Sequence, residues 1–469
     1  MSSPAASHLR LAGDQDIAGA VARLRETFAS GLTRPLAWRL AQLQCIEDLL
    51  AECEPQIVEA LASDLGRPAT DTFLGDIGPS RAEARFARKN LASWNKQRKV
   101  RLPLSQVPGR GWYEYEPLGV TLVIGPWNYP VYLTLAPMIA AIAAGNCVVV
   151  KPSENAPATA RLLADLIPRY LDTDACVVFE GGPEVTTEIL GQGLDHAFFT
   201  GGPEIGKLVM AAAAEHLTPV TLELGGKCPV VVAADANLPV AARRIAWTKL
   251  LNSGQTCIAP DYLLVESTVH AAFLTELSKA FKELSPNRDG GKAMPIVSDR
   301  HARRLLALIQ GHGGTVLQGG HGDPAARKVD ITLVDSPDLA SPLMNEEIFG
   351  PVLPIVPINS LDAAIEHVNR GPKPLAAYIF SESAATRRIF RDRVPAGAVV
   401  GNAVSVHVLV PELPFGGVGN SGMGAYHGEW GFQTFSHRKA NLDRPTRPDP
   451  RFVYPPYGRL TQKLIRKIF

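Results

Sequence analysis

The sequence predicts an α/β protein made of two doubly wound parallel-sheet domains, and three observations lead there. Short apolar runs rich in β-branched residues occupy 119–124, 147–150, 176–179 and 196–199, with another ending at Leu224, and helical stretches separate them. Strands alternating with amphipathic helices are the mark of repeated βαβ units. After Gly225-Gly226 a second series of the same kind begins. The composition, 469 residues with 46% hydrophobic and 20% charged, is that of a globular chain long enough for two or three domains.

In chain order, 17–30, 35–64 and 80–99 place apolar residues three and four apart between charged ones, as helices covering a sheet would. Between 100 and 117 the pattern turns to extended chain with Pro and Gly. In the second series the runs VVVAAD, YLLVES, GTVLQGG, ITLVD and LPIVPI alternate with helical segments at 238–252, 269–284 and 298–311. The Pro- and Arg-rich remainder after Phe432 reads as an extended arm. The predicted division is 1–99 with 116–224 as one domain, 225–432 as a second, and 100–115 with 433–469 as a small bridging part.

From 117 to 150 no Asp, Glu, Lys or Arg occurs, long enough to cross a bilayer. Gly125-Pro126, Pro130, Pro137 and Gly145-Asn146 cut it into strand, helix and strand, so it is predicted to be buried instead. A net charge of +1 gives no basic field for nucleic acid. The six cysteines have no C-x-x-C pair, which excludes a disulfide scaffold and a zinc ribbon and predicts no metal site. The N-terminus lacks a signal-peptide core, and a cytoplasmic location is expected. The tail 459–469 mixes an apolar stripe with basic residues; packing on its own subunit or a dimer partner is expected, with weak contact to an anionic membrane surface as the alternative.

Two loops look like phosphate binders. Gly201 to Lys207 matches most of a Walker A loop, yet Leu208 stands where a hydroxyl must hold Mg²⁺, which disfavours an NTPase. The loop follows a strand and opens a helix at Pro203, so it could still meet a diphosphate, or be a plain tight turn. Gly417 to Gly422 reads G-x-G-x-x-G without a strand leading into it, so the dinucleotide fingerprint is rejected there.

The chemically loaded segment is Asn252 to Cys257. Cys257 lies in a Gly- and hydroxyl-bearing loop between a helix and a strand, where polar backbone could stabilise a thiolate. Upstream, Glu223 is a carboxylate inside a strand pattern, either exposed at the strand end or buried with a raised pKa and suited to general-base work.

GPWNYP (125–130), GNCVVVKPSE (145–154), FTGGPEIGK (199–207), LELGGK (222–227), GQTC (254–257), EEIFGP (346–351) and PFGGVGNSGMGAYHG (414–428), in this order, resemble the aldehyde dehydrogenase superfamily over nearly the whole chain. The Cys257 to Glu347 spacing and the closing GFQTFSHRKA run resemble its class 3 branch. The resemblance implies a Rossmann-like cofactor domain, a catalytic domain and a β arm for oligomerisation, in a homodimer. It implies Cys257 as nucleophile, the Asn128 amide and the Cys257 N–H as oxyanion donors, and Glu223 as the base that hydrolyses a thioester. For NAD(P) it implies Lys151 and Glu154 at the adenosine ribose, Gly201, Gly202 and Gly206 in the diphosphate loop, and Glu347 and Phe349 at the nicotinamide. Trp127 and Tyr129 beside Asn128 are expected to line an apolar tunnel for aromatic or medium- to long-chain aliphatic aldehydes. Transfer of the acyl group to coenzyme A, or a non-catalytic protein on this fold, are the alternatives.

Overall fold

The computed structural model describes residues 16–285 and 294–468, so the reading of the N-terminal segment as lacking an export signal lies outside the described residues. Two large sheets form the framework. The first has six strands in the order Gly422–Met423, Val220–Leu224, His196–Gly201, Val120–Ile124, Cys147–Lys151, Cys176–Val178. Five of these are parallel, and Val120–Ile124 and Cys147–Lys151 are buried along their whole length, as strands covered on both faces must be. The uncharged stretch resolves as predicted into Val120–Ile124, the helix Tyr132–Ala144 and Cys147–Lys151. Every residue of that helix is buried, which removes any need for a polar face, and it stops at left-handed Gly145 (φ 94°).

The second sheet has seven strands, ordered Thr315–Gln318, Thr332–Asp335, Val352–Ile358, Tyr262–Glu266, Pro229–Val232, Ala376–Phe380, Ala398–Gly401. It departs from the all-parallel expectation at one edge: Thr315–Gln318 runs antiparallel to Thr332–Asp335 and is largely exposed, an arrangement open to an edge strand that buries little. The helical reading of 35–64 also needs correction, because Pro55 starts a new helix and the chain divides into Leu36–Glu52 and Glu54–Leu65. A continuous apolar core runs from Leu122 and Phe198 in the first sheet to Val230 and Leu263 in the second.

A third, antiparallel sheet joins Arg98–Val100, Arg110–Pro117 and Ser436–Asp443, so the excursion near residue 100 pairs with chain that follows the second sheet. The glycine-rich 417–422 segment turns back to the first sheet, where Gly422 sits opposite Glu223. The helix Arg459–Ile468 has no buried residue, and Leu460 is 84% exposed. Of the two packings expected for this tail, on its own subunit or on a dimer partner, the first buries none of its residues.

Candidate active site

Cys257 is delivered by a loop between the helix Leu238–Leu250 and the strand Tyr262–Glu266. The loop holds three left-handed residues in succession, Asn252 (φ 50°), Ser253 (φ 52°) and Gly254 (φ 70°). Non-glycine residues held there cost roughly 1–3 kcal/mol each, so the surroundings must fix them. They do so by hydrogen bonds. Asn252 Nδ2 donates to the carbonyls of Asn128 (2.9 Å) and Gln255 (3.0 Å), and Ser253 Oγ donates to Met294 O (2.6 Å). The Gln255 side chain donates to Asn252 O (3.0 Å) and accepts from Val297 N (2.9 Å). At Gly254 a side chain would meet the Gly350 carbonyl, so this position has no room for one.

Half-buried Cys257 lies on the wall of a cavity of about 170 Å³ bounded by Tyr129, Tyr132, Leu133, Trp247 and Val406 among others. Burial first, then the charges of Glu347 and Glu223, push its thiol up to about 12. The expectation that loop backbone stabilises a thiolate is thus corrected: the two nearby carboxylates and desolvation outweigh the backbone N–H groups.

Glu223 stands on the strand Val220–Leu224 and is only 3% exposed, which decides between its two predicted placements in favour of burial. Neither of its carboxylate oxygens has a hydrogen-bond partner among the described residues. Desolvation holds its pKa well above the usual carboxylate range. Asn128 is buried, and its Nδ2 donates to Gln255 O at 3.1 Å, which brings its amide to the cysteine loop.

Sequence reasoning missed the hub beneath Asn128. Buried Arg67 pairs with buried Asp76, donates to the Asn128 carbonyl, and lies 4.6 Å from the centre of the Tyr129 ring. Asp76 Oδ1 accepts from the N–H groups of Val131 and Tyr132, both at 3.0 Å. Tyr129 completes the link through its hydroxyl to Thr256 Oγ1 at 2.8 Å. Neither Arg67 nor Asp76 belongs to a motif, and nothing local separates them from the other charges of the N-terminal helices. Tyr129 lines the cavity, whereas the Trp127 ring stands edge-on to Phe349, 5.4 Å between centres, with His301 at 6.0 Å.

The remaining predicted residues lie outside this cavity's lining. Half-buried Glu347 has its pKa pushed up to about 7 by desolvation against a hydrogen bond from Gly226 N. Gly225 lets it lie there, since a side chain at 225 would collide with its carboxylate. The Glu346–Ile348 backbone is fixed by Lys227, paired with Asp261 and donating to Glu346 O (2.8 Å), and by Arg304 on Glu347 O (3.1 Å). Phe349 is left-handed at φ 50°. Lys151 Nζ donates to Glu154 (2.9 Å) and to Gly181 O (2.9 Å), leaving Glu154 part-exposed. Gly202 caps the helix Pro203–Ala214 with open space where a side chain would stand, so backbone N–H groups at a positive helix end are approachable by phosphate. Gly206 differs from it: a side chain there would press on Leu224 at 2.8 Å, so this glycine sets the helix close to the strand bearing Glu223. The exposed carboxylate, the open glycine at a helix end and the aromatic–carboxylate pair at 347–349 fit an adenine dinucleotide.

The sequence matches the aldehyde dehydrogenase family over residues 3–441. It is similar to the dimeric NADP-preferring aldehyde dehydrogenase of Mus musculus, 45% identical with 94% of this chain and 98% of that one covered. Aldehyde dehydrogenase family 3 member A2 of Pongo abelii is 43% identical, with coverages of 90% and 87%. A solved structure, the substrate-bound state of Staphylococcus aureus AldH, is 38% identical with TM-score 0.93, covering 97% of this chain and 99% of that one. The expected cytoplasmic location is corrected. Relatives include family 3 member A2 and, in Rattus norvegicus, member B1, and this chain carries an exposed basic helix with an apolar stripe, a pattern suited to a membrane surface. No helix among the described residues is long and apolar enough to cross a membrane.

Proposed function

Because this chain belongs to the aldehyde dehydrogenase family, we propose that Cys257, Asn128 and Glu223 carry out its reaction, the NAD(P)-dependent oxidation of an aldehyde to the carboxylic acid. The observation that carries the assignment is a thiol on the cavity wall with a buried, unpartnered carboxylate close enough to influence its charge. Attack joins Sγ to the aldehyde carbon as the thiol proton is released to water, which leaves the two open oxygens of Glu223 free for the later hydrolysis. The oxygen of the resulting thiohemiacetal takes hydrogen bonds from the Cys257 N–H and from the Asn128 amide, which is already held at the loop by Gln255 O. Bound nicotinamide supplies the acceptor for the hydride that leaves this tetrahedral carbon.

The remaining thioester is cleaved by water. Glu223 accepts a proton from that water, and the acid departs as Cys257 regains its hydrogen. An unpartnered base beside the thioester favours water over coenzyme A as acyl acceptor. The cavity's apolar wall supports aromatic or medium- to long-chain aliphatic aldehydes as substrates. The exposed apolar residues of the bridging region, Leu104, Val107 and Leu442, support a homodimer formed through the third sheet, and the three sheets support the predicted division except at Gly422–Met423, which joins the first sheet from within 225–432.

Acid quenching during turnover of benzaldehyde with NAD(P), followed by peptide mass spectrometry, tests the assignment. An acyl group on Cys257, more abundant in Glu223→Gln, is expected; acylation elsewhere overturns it. Cys257→Ala should lose oxidation and keep cofactor binding.

A further inference from the structure

The cavity bounded by Cys257 is lined mostly by apolar residues, and among the described residues its only charged side chains are Arg67 and Asp71. They are not equivalent. The Arg67 guanidinium is buried and already neutralised by Asp76, with its remaining contacts on the Asn128 carbonyl and the Tyr129 ring. Asp71 lies in the short helix Ala69–Thr72, one turn before exposed Leu74 (53%), and has no ion-pair partner among the described residues. The Arg67 charge also acts on Asp71, but because Arg67 is paired with Asp76 the three charges together leave the approach to the thiol net negative, between an outer rim of Leu74, Trp247 and Leu409 and the inner wall of Tyr129.

We propose that Asp71 selects substrates by charge: it excludes aldehydes whose far end bears a carboxylate or phosphate and admits neutral or cationic ones. An aldehyde that reaches Cys257 must extend its distal group back through the cavity past Asp71. The low-dielectric wall strengthens a like-charge repulsion there relative to open water. The inference rests on the proposed function, since it requires the aldehyde to occupy this cavity.

The test compares kcat/KM of the full-length enzyme for 4-carboxybenzaldehyde and for a 4-trimethylammonio-benzaldehyde, each divided by its value for benzaldehyde so that any general effect of a substitution cancels. Asp71→Asn is expected to raise the anionic ratio about five-fold and lower the cationic ratio by a similar factor, both effects shrinking in high salt. Asp71→Glu should retain the wild-type order, and Asp71→Lys should reverse it. Ratios that stay fixed across Asp71→Asn and Asp71→Lys overturn the proposal. A wild-type enzyme that fails to oxidise benzaldehyde and every other neutral aldehyde would instead overturn the proposed function, which keeps the two failures apart.

Discussion

Asp76 and Glu223 are both buried carboxylates in the neighbourhood of one cysteine loop, and they are treated in opposite ways. Asp76, 0% exposed, is held by Arg67 and two backbone N–H groups; burial pushes its pKa up while these partners pull it down. Glu223, 3% exposed, has no hydrogen-bond partner on either oxygen among the described residues. A satisfied buried charge fixes geometry, here that of Asn128 and Tyr129. An unsatisfied one costs stability and is retained where it has a reaction to perform. The pair thus separates scaffold from chemistry within one site.

The largest effect should come from Glu223→Gln, which keeps shape and removes the proton acceptor. Steady-state oxidation is expected to fall by about 10²–10⁴-fold while a burst of NAD(P)H survives in stopped-flow absorbance at 340 nm. If the two carboxylates play alike, burst and steady state will fall together. Asp76→Ala should break the comparison from the other side: stranding Arg67 in the interior is expected to cost about 3–5 kcal/mol in urea unfolding.

Cys257, Glu223 and Asn128 were legible because each lies inside a contiguous motif whose order survives in one dimension. Arg67 and Asp76 were not, since their significance arises from Val131, Tyr132 and the Asn128 carbonyl, which only the fold brings to them. The same limit explains the reading of Cys257 as a stabilised thiolate: the loop's polarity is local, whereas Glu347, the strongest charge acting on it, is far along the chain. Parallel strands such as Cys147–Lys151 announced themselves by unbroken β-branched runs, while the antiparallel edge Thr315–Gln318 could not, because direction is not written in composition.

Buried acids also leave a trace in pH. Glu83 and Glu347 both have pKa values raised from 4.5 to about 7, chiefly by burial. Their neutral forms are favoured in the folded state, so the folded protein binds more protons than the unfolded chain between those values. The stability they contribute is fully present below about pH 4.5 and lost as pH rises through about 7, at most about 3 kcal/mol for each. Buried neutral histidines such as His196 push stability the other way over this range, so the comparison with Glu83→Gln, which touches Gly428 rather than the cysteine loop, isolates one acid: the urea midpoint of the wild type should lose ground to that of the variant from pH 5 to pH 8. A wild-type midpoint that gains on the variant over this window would contradict the burial of Glu83.

The smallest effect concerns how the scaffold reaches the chemistry. Tyr129 touches both sides of the comparison: Arg67 lies over its ring, and its hydroxyl meets Thr256 next to the nucleophile. Tyr129→Phe keeps the ring and deletes that single bond, so kcat is expected to drop about five-fold, the value of roughly 1 kcal/mol for one hydrogen bond. A general loosening of the cavity would produce the same drop, and the double variant tells them apart. If the hydroxyl acts through Thr256, Tyr129→Phe with Thr256→Val should be little worse than Tyr129→Phe alone, because the second substitution removes a partner already lost. Losses that simply add would place the effect of the Tyr129 hydroxyl somewhere other than the loop, and would leave Asn128 as the scaffold's direct contact with the cysteine.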